Sequence, residues 1–490
     1  MGGVQESTPA CTARPRVLLL CSPCMGHLIP FAELARRLVS DHGLAATLLF
    51  AAATSPPSAQ YLAVAAAAVS DRVDLVALPA PPPGALPPSA HVRDRAAHVR
   101  DRAAHAVASN VRRVRELARA LAAAAPLAAL VVDMVGVPAR DVATELGVPF
   151  YMLFTSPWMT LSLFLHLPEL DATRAGEHRD AAEPICLPGC VPIHAHELPS
   201  SMLADRNSNT YSGFLSMAKK VTRVDGILVN TFSELEPGVG NGMDGLGLPV
   251  YPVGPLVWTR PVGVDRDNEC LKWLDQQPRG SVVYISFGSG GTLTWQQTAE
   301  LALGLELSQR RFIWAAKRPQ QDTAMGAFFG TKQGEEDMAL DFLPEGFIER
   351  TRGLGLVLPS WAPQTAILSH PSVRCFVTHC GWNSTLESVM NGVPMVAWPL
   401  YAEQNMNAAM MEVQVGVAAR VKVGPDRFIT KEEVASAIQH VMEGKEAERM
   451  REWATELREK SVHALSKGGS STHALAHIVN MWKQNSSGRK

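Results

Sequence analysis

The stretch FVTHCGWNSTLES (376–388) places His379, Gly381, Asn383 and Ser384 between an apolar run and a helical pattern that opens at Ser384. Such residues at the mouth of a helix can bind an anion. The first N–H groups of a helix lack intrahelical partners, and its dipole is positive at that end. Gly381 allows close approach to the backbone. Asn383 and Ser384 can donate side-chain hydrogen bonds to the same anion, and His379 adds a donor from the strand end. Glu387 lies three residues beyond Ser384 and returns to the same rim. Its carboxylate repels phosphate but suits vicinal hydroxyls, such as those of a ribose. A structural alternative is a capping box in which Ser384 and Glu387 satisfy backbone groups. On this stretch alone the two readings stand level.

The neighbouring segments favour a ligand. PSWAPQ (359–364) offers Trp361, whose face can stack a base, and Gln364, whose amide can pair with the base edge. WPLYAEQ (398–404) offers Glu403 and Gln404 to the hydroxyls of a sugar. Together these are a base platform, a ribose and diphosphate cradle, and a hexose clamp, the layout of a nucleoside diphosphate sugar. Other nucleotide signatures are missing. No GxxxxGK[ST] occurs, and GSGG (288–291) lacks the GxGxxG spacing. Cys21 and Cys24 form a CxxC with no second pair at metal spacing, which reads as packing. Asp265 and Asp267 form a DxD with no strand before it, which reads as a solvated charge pair.

These side chains need strand ends to carry them. Strand-like runs at 16–22, 45–52, 72–79, 127–133, 148–154 and 226–232 alternate with helical patterns such as 28–43. After a Pro- and Gly-containing stretch at 251–269 the alternation restarts, with strands at 280–288, 311–317, 355–361, 373–379 and 393–399. Two α/β domains with doubly wound parallel sheets follow, and ligands of such sheets bind beyond the carboxyl ends of the strands. The composition agrees: 490 residues, 47% hydrophobic and 19% charged, describe a globular enzyme of two or more domains. A net charge of −2 without a basic stripe argues against nucleic acid. Apolar stretches at 121–139 and 150–168 are interrupted by Pro126 and Pro157, so each reads as a strand joined to a helical piece rather than a membrane span. No clean signal peptide opens the chain, and the cysteine usage fits reduced thiols and a cytoplasmic location. The tandem HVRDRAA copies (91–104) read as a lengthened exposed helix.

The segment from Trp361 to Gln404 resembles the plant secondary product glycosyltransferase box. SPCMGHLIP, LVVDMVG, FLHLPELD, GILVNTFSELEP, YPVGPL and SFGSGGTLT extend the likeness over most of the chain, to the hydroquinone glucosyltransferase (arbutin synthase) group of plant UDP-glycosyltransferases. The resemblance implies a GT-B fold of two Rossmann-like domains facing across a cleft. It places an acceptor domain at 1–255, a UDP-sugar domain at 256–470, and a helix at 471–490 crossing back to the first domain. It implies that Trp361 stacks uracil while Gln364 and the Ala362 backbone meet the uridine. Glu387 takes the ribose hydroxyls, and Ser289, His379, Gly381, Asn383 and Ser384 surround the diphosphate. Trp382, Glu403 and Gln404 grip the hexose, Gln404 favouring glucose.

A lone His27 reads first as a structural histidine. The resemblance makes it the catalytic base, with Asp133 as its partner. The implied reaction is inverting transfer of glucose from UDP-glucose to a hydroxyl of a small, mostly hydrophobic phenol, needing neither metal nor cofactor. Transfer to nitrogen, sulfur or carbon, use of another UDP-sugar, and a non-catalytic sugar-nucleotide binder are the alternatives. The apolar stretch 155–168 is expected to face the acceptor. Cys24 departs from the Gly common in related sequences, beside His27. The expected partners are the two small substrates, and the expected state is a monomer.

Overall fold

Strands covered on both faces read as continuous apolar runs, as RVLLLC and AATLLFA do. In the computed structural model, which describes residues 14–51, 72–81, 95–238, 247–258, 268–320, 340–424 and 428–487, such runs build two sheets. The first contains β1 (Arg16–Cys21), β2 (Ala45–Ala51), β3 (Val73–Leu78), β4 (Leu127–Val132), β5 (Phe150–Phe154), β6 (Gly226–Val229) and β7 (Val250–Pro252). Its order is β3-β2-β1-β4-β5-β6-β7. The second contains β8 (Val282–Ser286), β9 (Arg311–Ala316), β10 (Gly355–Pro359), β11 (Val373–Thr378), β12 (Met395–Ala397) and β13 (Ala418–Arg420), in the order β10-β9-β8-β11-β12-β13. Every pairing in both sheets is parallel.

β7 and β13 were not foreseen. β7 overlaps the start of the Pro- and Gly-containing stretch read as linker, and the short apolar run of β13 is broken by Arg420. The strands that lead to Trp361 and His379 are not adjacent in the second sheet, although the two segments follow each other in the chain. β9 and β8 lie between β10 and β11. The two apolar stretches divide as expected, into β4 with a 3-10 turn at Met134–Ala139 and β5 with a helix at Trp158–Thr173. Among the described residues no helix is long and apolar enough to cross a membrane. Asp265, Asp267, the first part of the HVRDRAA repeat and most of the glycine-rich 238–247 stretch lie outside the described residues.

One face of the first sheet packs on the helix Met25–Ser40 through Leu28, Phe31, Leu34 and Leu38. The C-terminal helix Ser470–Ser487 joins that core with Leu475, Ile478, Val479 and Trp482, the spacing of one helical face. The Trp482 ring meets Tyr151 of β5 edge-on at 5.2 Å. The last helix of the chain thus completes the first lobe. On the other side, one buried apolar cluster runs from Leu18, Leu130 and Phe154 to Tyr284, Phe376 and Trp382, so the two lobes share a continuous seam.

Candidate active site

In both sheets the strand order reverses beside the first strand, between β1 and β4 and between β8 and β11. A crevice opens at such a switch point because the flanking loops diverge. His27 and Asp133 stand at the first. Beyond β1, Ser22 leads into the helix that begins at Met25, and Asp133 follows β4 directly. His27 Nδ1 lies 2.9 Å from Asp133 Oδ2 and 3.1 Å from Ser22 Oγ. The Ser22 N–H donates to the same carboxylate oxygen at 2.8 Å, and the Gly136 N–H donates to the other at 3.1 Å. Asp133 is 1% exposed. Burial by itself pushes its carboxyl up, but the His27 and Ser22 contacts together bring it below the usual value. An ionised Asp133 accepts only, so Nδ1 carries the proton. Nε2 is then the basic nitrogen, with no partner among the described residues.

At the second switch point the helix Trp382–Asn391 begins two residues earlier than expected. Gly381 is its N-cap, and no side chain caps it. The capping-box alternative therefore fails: Ser384 and Glu387 bond to Gln364 instead. Gln364 Nε2 donates to Ser384 Oγ at 2.9 Å and to Glu387 Oε2 at 2.5 Å. This brings the β10 end to the β11 end despite the two strands between them. Burial raises the Glu387 carboxyl to about 7, with the Gln364 hydrogen bond pulling against it. His379 is buried, and its value falls to about 3 through burial and then the charge of Lys317, so the ring is neutral. Its Nδ1 is buried without a partner among the described residues. The ring fills space that two glycines leave: a Cβ on Gly381 would lie 2.4 Å from Nε2, and one on Gly288 2.4 Å from Cε1.

Four strand ends around this crevice use a left-handed residue. Gly288 follows β8, Ser360 precedes Trp361, Cys380 precedes Gly381, and Ala402 precedes Glu403. Each non-glycine example costs about 1–3 kcal/mol, and such outliers cluster at ligand sites. The Trp361 ring is 51% exposed and free to stack. The Ala362 N–H has no partner among the described residues. Gln404 Oε1 accepts from the Leu400 and Tyr401 N–H groups at 2.8 and 3.0 Å, and its amide also bonds the Tyr401 side chain.

The lobes meet through the expected site residues. Pro30 sits inside the Met25–Ser40 helix and has no N–H for the Gly26 carbonyl four residues back. Asn383 Nδ2 donates to that carbonyl at 3.0 Å, tying the second lobe's helix start to the residue before His27. Ser156 Oγ donates to Glu403 Oε1 at 3.0 Å. The ring of Trp382, assigned above to the hexose, is buried in the seam and donates to the Asn230 carbonyl at 2.6 Å. Only its backbone N–H remains for a ligand.

Sequence reasoning missed Ser22, Ser156 and Lys317. Lys317 left a signal, as the first of two cations, Lys317 and Arg318, that end the run RFIWAA, while a serine beside a strand end leaves none. Cys24 is buried at the start of the His27 helix. Burial and then Asp133 push its thiol up to about 12, so it packs rather than reacts, and Cys21 and Cys24 are both free thiols.

Two parallel-sheet lobes, with a helix start that no side chain caps at the switch point of one and a histidine–carboxylate pair at that of the other, have the fold of a GT-B glycosyltransferase. Residues 265–457 match the family model described as UDP-glucoronosyl and UDP-glucosyl transferase. A hydroquinone glucosyltransferase of Rauvolfia serpentina is 44% identical over 96% of this chain and 98% of its own length. UDP-glycosyltransferase 72B1 of Arabidopsis thaliana is 42% identical over 96% of each. A Polygonum tinctorium UDP-glucosyltransferase capable of glucosylating indoxyl, solved with 3,4-dichloroaniline, superposes with a TM-score of 0.85 at 40% identity, covering 96% of this chain and 99% of that one. The chain belongs to the UDP-glycosyltransferase family and is a UDP-glucose-dependent glycosyltransferase.

Proposed function

We propose that the chain transfers glucose from UDP-glucose, with inversion, to a hydroxyl of a small and mostly hydrophobic phenol, giving a β-O-glucoside. The observation that carries this reading is the His27–Asp133 pair, with Nε2 free and the Gly26 carbonyl tied to Asn383 at the start of the donor helix. A phenol is a weak nucleophile until it loses its proton. His27 Nε2 accepts that proton, and Asp133 holds the tautomer and stabilises the imidazolium that forms. The phenol oxygen attacks C1 of the glucose from the side opposite UDP. The C1–O bond breaks, and its electron pair leaves with the β-phosphate oxygen, turning an α-linkage into a β-glycoside. The uncapped helix start, Ser289 and the neutral His379 surround the diphosphate as its charge grows. One well-aimed donor contributes about 2.7–4 kcal/mol in comparable oxyanion sites.

Trp361 and Ala362 take the uracil, while Gln364 and Glu387 hold the ribose. Glu403, Gln404 and the Trp382 N–H take the hexose. The first-lobe helix Trp158–Thr173, which begins beside the Ser156–Glu403 contact, contributes to the acceptor wall.

The test is incubation with UDP-glucose and hydroquinone, with an aniline and an aromatic thiol as competing acceptor classes. A phenolic β-glucoside, its configuration read from the anomeric proton coupling, supports the reading. Preference for the aniline or thiol replaces oxygen transfer. UDP binding without any glucoside makes the chain a binder. His27→Ala should keep UDP affinity and lose about 10²- to 10⁴-fold in turnover; wild-type turnover in that variant removes His27 as the base.

A further inference from the structure

Lys317 is the first residue after β9, the strand beside β8. Its ammonium donates to the carbonyl of Gly288 and, at 2.6 Å, to that of Ser289. Among the described residues it has no carboxylate partner, which is unusual for a half-buried cation. The two carbonyls belong to the peptide units that carry the N–H groups of Ser289 and Gly290. In a planar trans peptide the C=O and N–H point in opposite directions. Pinning the carbonyls on one side of the loop therefore turns both N–H groups to the other. Neither has a partner among the described residues. Gly288, with φ +71°, packs directly on the His379 ring. The loop is thus held between an ammonium and a neutral imidazole, with two free N–H groups and a cation at the switch point. Successive free N–H groups of this kind form an anion-binding concavity.

We infer that Lys317 is a positioning residue for the donor: it holds the 288–290 loop so that the Ser289 and Gly290 N–H groups meet the diphosphate, and it lends that anion a positive charge. The inference rests on the donor site described under the proposed function. Burial lowers the ammonium to about 8, so it deprotonates just above neutrality in the free protein. Of the charged groups nearby, His379 is neutral, and Arg318 is paired with Asp341 at 2.5 Å. The other residues lining the small pocket beneath the ammonium are uncharged. Glu387, across the diphosphate cradle, titrates near 7, below this range. Deprotonation of Lys317 removes the charge and weakens the clamp, since a neutral amine donates more weakly than an ammonium, so donor affinity should fall as pH rises through about 8.

The test is calorimetric binding of UDP and UDP-glucose to the full chain, as wild type, Lys317→Met and Lys317→Arg, with thermal denaturation alongside. Lys317→Met should weaken UDP-glucose binding about tenfold, as loss of a hydrogen-bonded charge does, and leave acceptor KM unchanged. Lys317→Arg should restore most of the affinity and hold it level where the wild type declines above pH 8. Wild-type affinity in folded Lys317→Met overturns the inference. So does an alkaline decline that persists unchanged in Lys317→Arg, a measurement that decides the matter if Lys317→Met does not fold. A wild-type protein that binds no UDP overturns this inference and the donor-site reading together; normal UDP binding with an unaffected Lys317→Met overturns this inference alone.

Discussion

Glu387 is a carboxyl that burial raises to near neutrality, and in the proposed donor site its charge decides how well it accepts ribose hydroxyls. Because the folded value is raised to about 7, the group is ionised above that pH and protonated below it. UDP-glucose affinity of the free protein should therefore fall as pH drops from about 8 to about 6. Glu387→Gln should bind more weakly at pH 8 and lose this acid dependence. Titration calorimetry without acceptor isolates the effect from His27, and an acid limb that survives in Glu387→Gln removes the assignment. The residue types of this cradle were legible in the sequence because each carries an unusual group at a strand end. What Ser384 and Glu387 do there was open, since a capping box and a ligand cradle use the same spacing. The structure removes the capping box, because Gly381 is the N-cap and Gln364 bonds both side chains.

At the scale of elements, the loops after β8, β10, β11 and β12 share a left-handed residue that turns the chain abruptly. Three of these residues are Ser360, Cys380 and Ala402, whose types announce nothing, so the turns were invisible beforehand. The two glycines against His379 have a steric purpose. A Cβ at position 381 would sit 2.4 Å from His379 Nε2, so the ring would have to leave its place beside the helix start. Gly381→Ala should lose more than about tenfold in UDP affinity, the scale of one charge-assisted contact, while melting within a few degrees of wild type. Unchanged UDP binding would show that His379 takes no part in the donor site. The strands of four or more residues could be read from their apolar runs. β12, though only three residues long, could be read from the longer apolar run 393–399 around it; β7 and β13 could not, because β7 sits among prolines and glycines and β13 ends in Arg420, with Lys422 close behind.

At the scale of the molecule, the lobes are joined by more than a linker. Asn383 bonds Gly26, Trp382 bonds Asn230, Ser156 bonds Glu403, and Arg420 bonds Glu197 at 2.6 Å. Glu197 is 3% exposed, so removing its cation leaves a buried carboxylate short of a partner. Arg420→Ala should cost about 1–3 kcal/mol in denaturant unfolding, and Glu197→Gln in the same background should recover part of it. No change in Arg420→Ala would mean that the seam's apolar cluster alone holds the lobes. The Ser156–Glu403 and Asn383–Gly26 bonds put groups of the first lobe and the second lobe in direct contact, so relative movement of the lobes must break them.

The sequence by itself determined the two α/β lobes, the stretch from Trp361 to Gln404 on which the proposed donor site rests, and the family it resembles, because strand periodicity and motif spacing are local properties. The tertiary structure alone decided which of those groups are free to meet a ligand. It turned the Trp382 ring into the seam and committed Gln404 Oε1 to its own loop. It also gave Gln364 to Ser384 and Glu387, and put Lys317 behind the loop of Ser289. Hydrogen-bond partners across strands and lobes depend on sheet order and loop direction, which no spacing along the chain encodes.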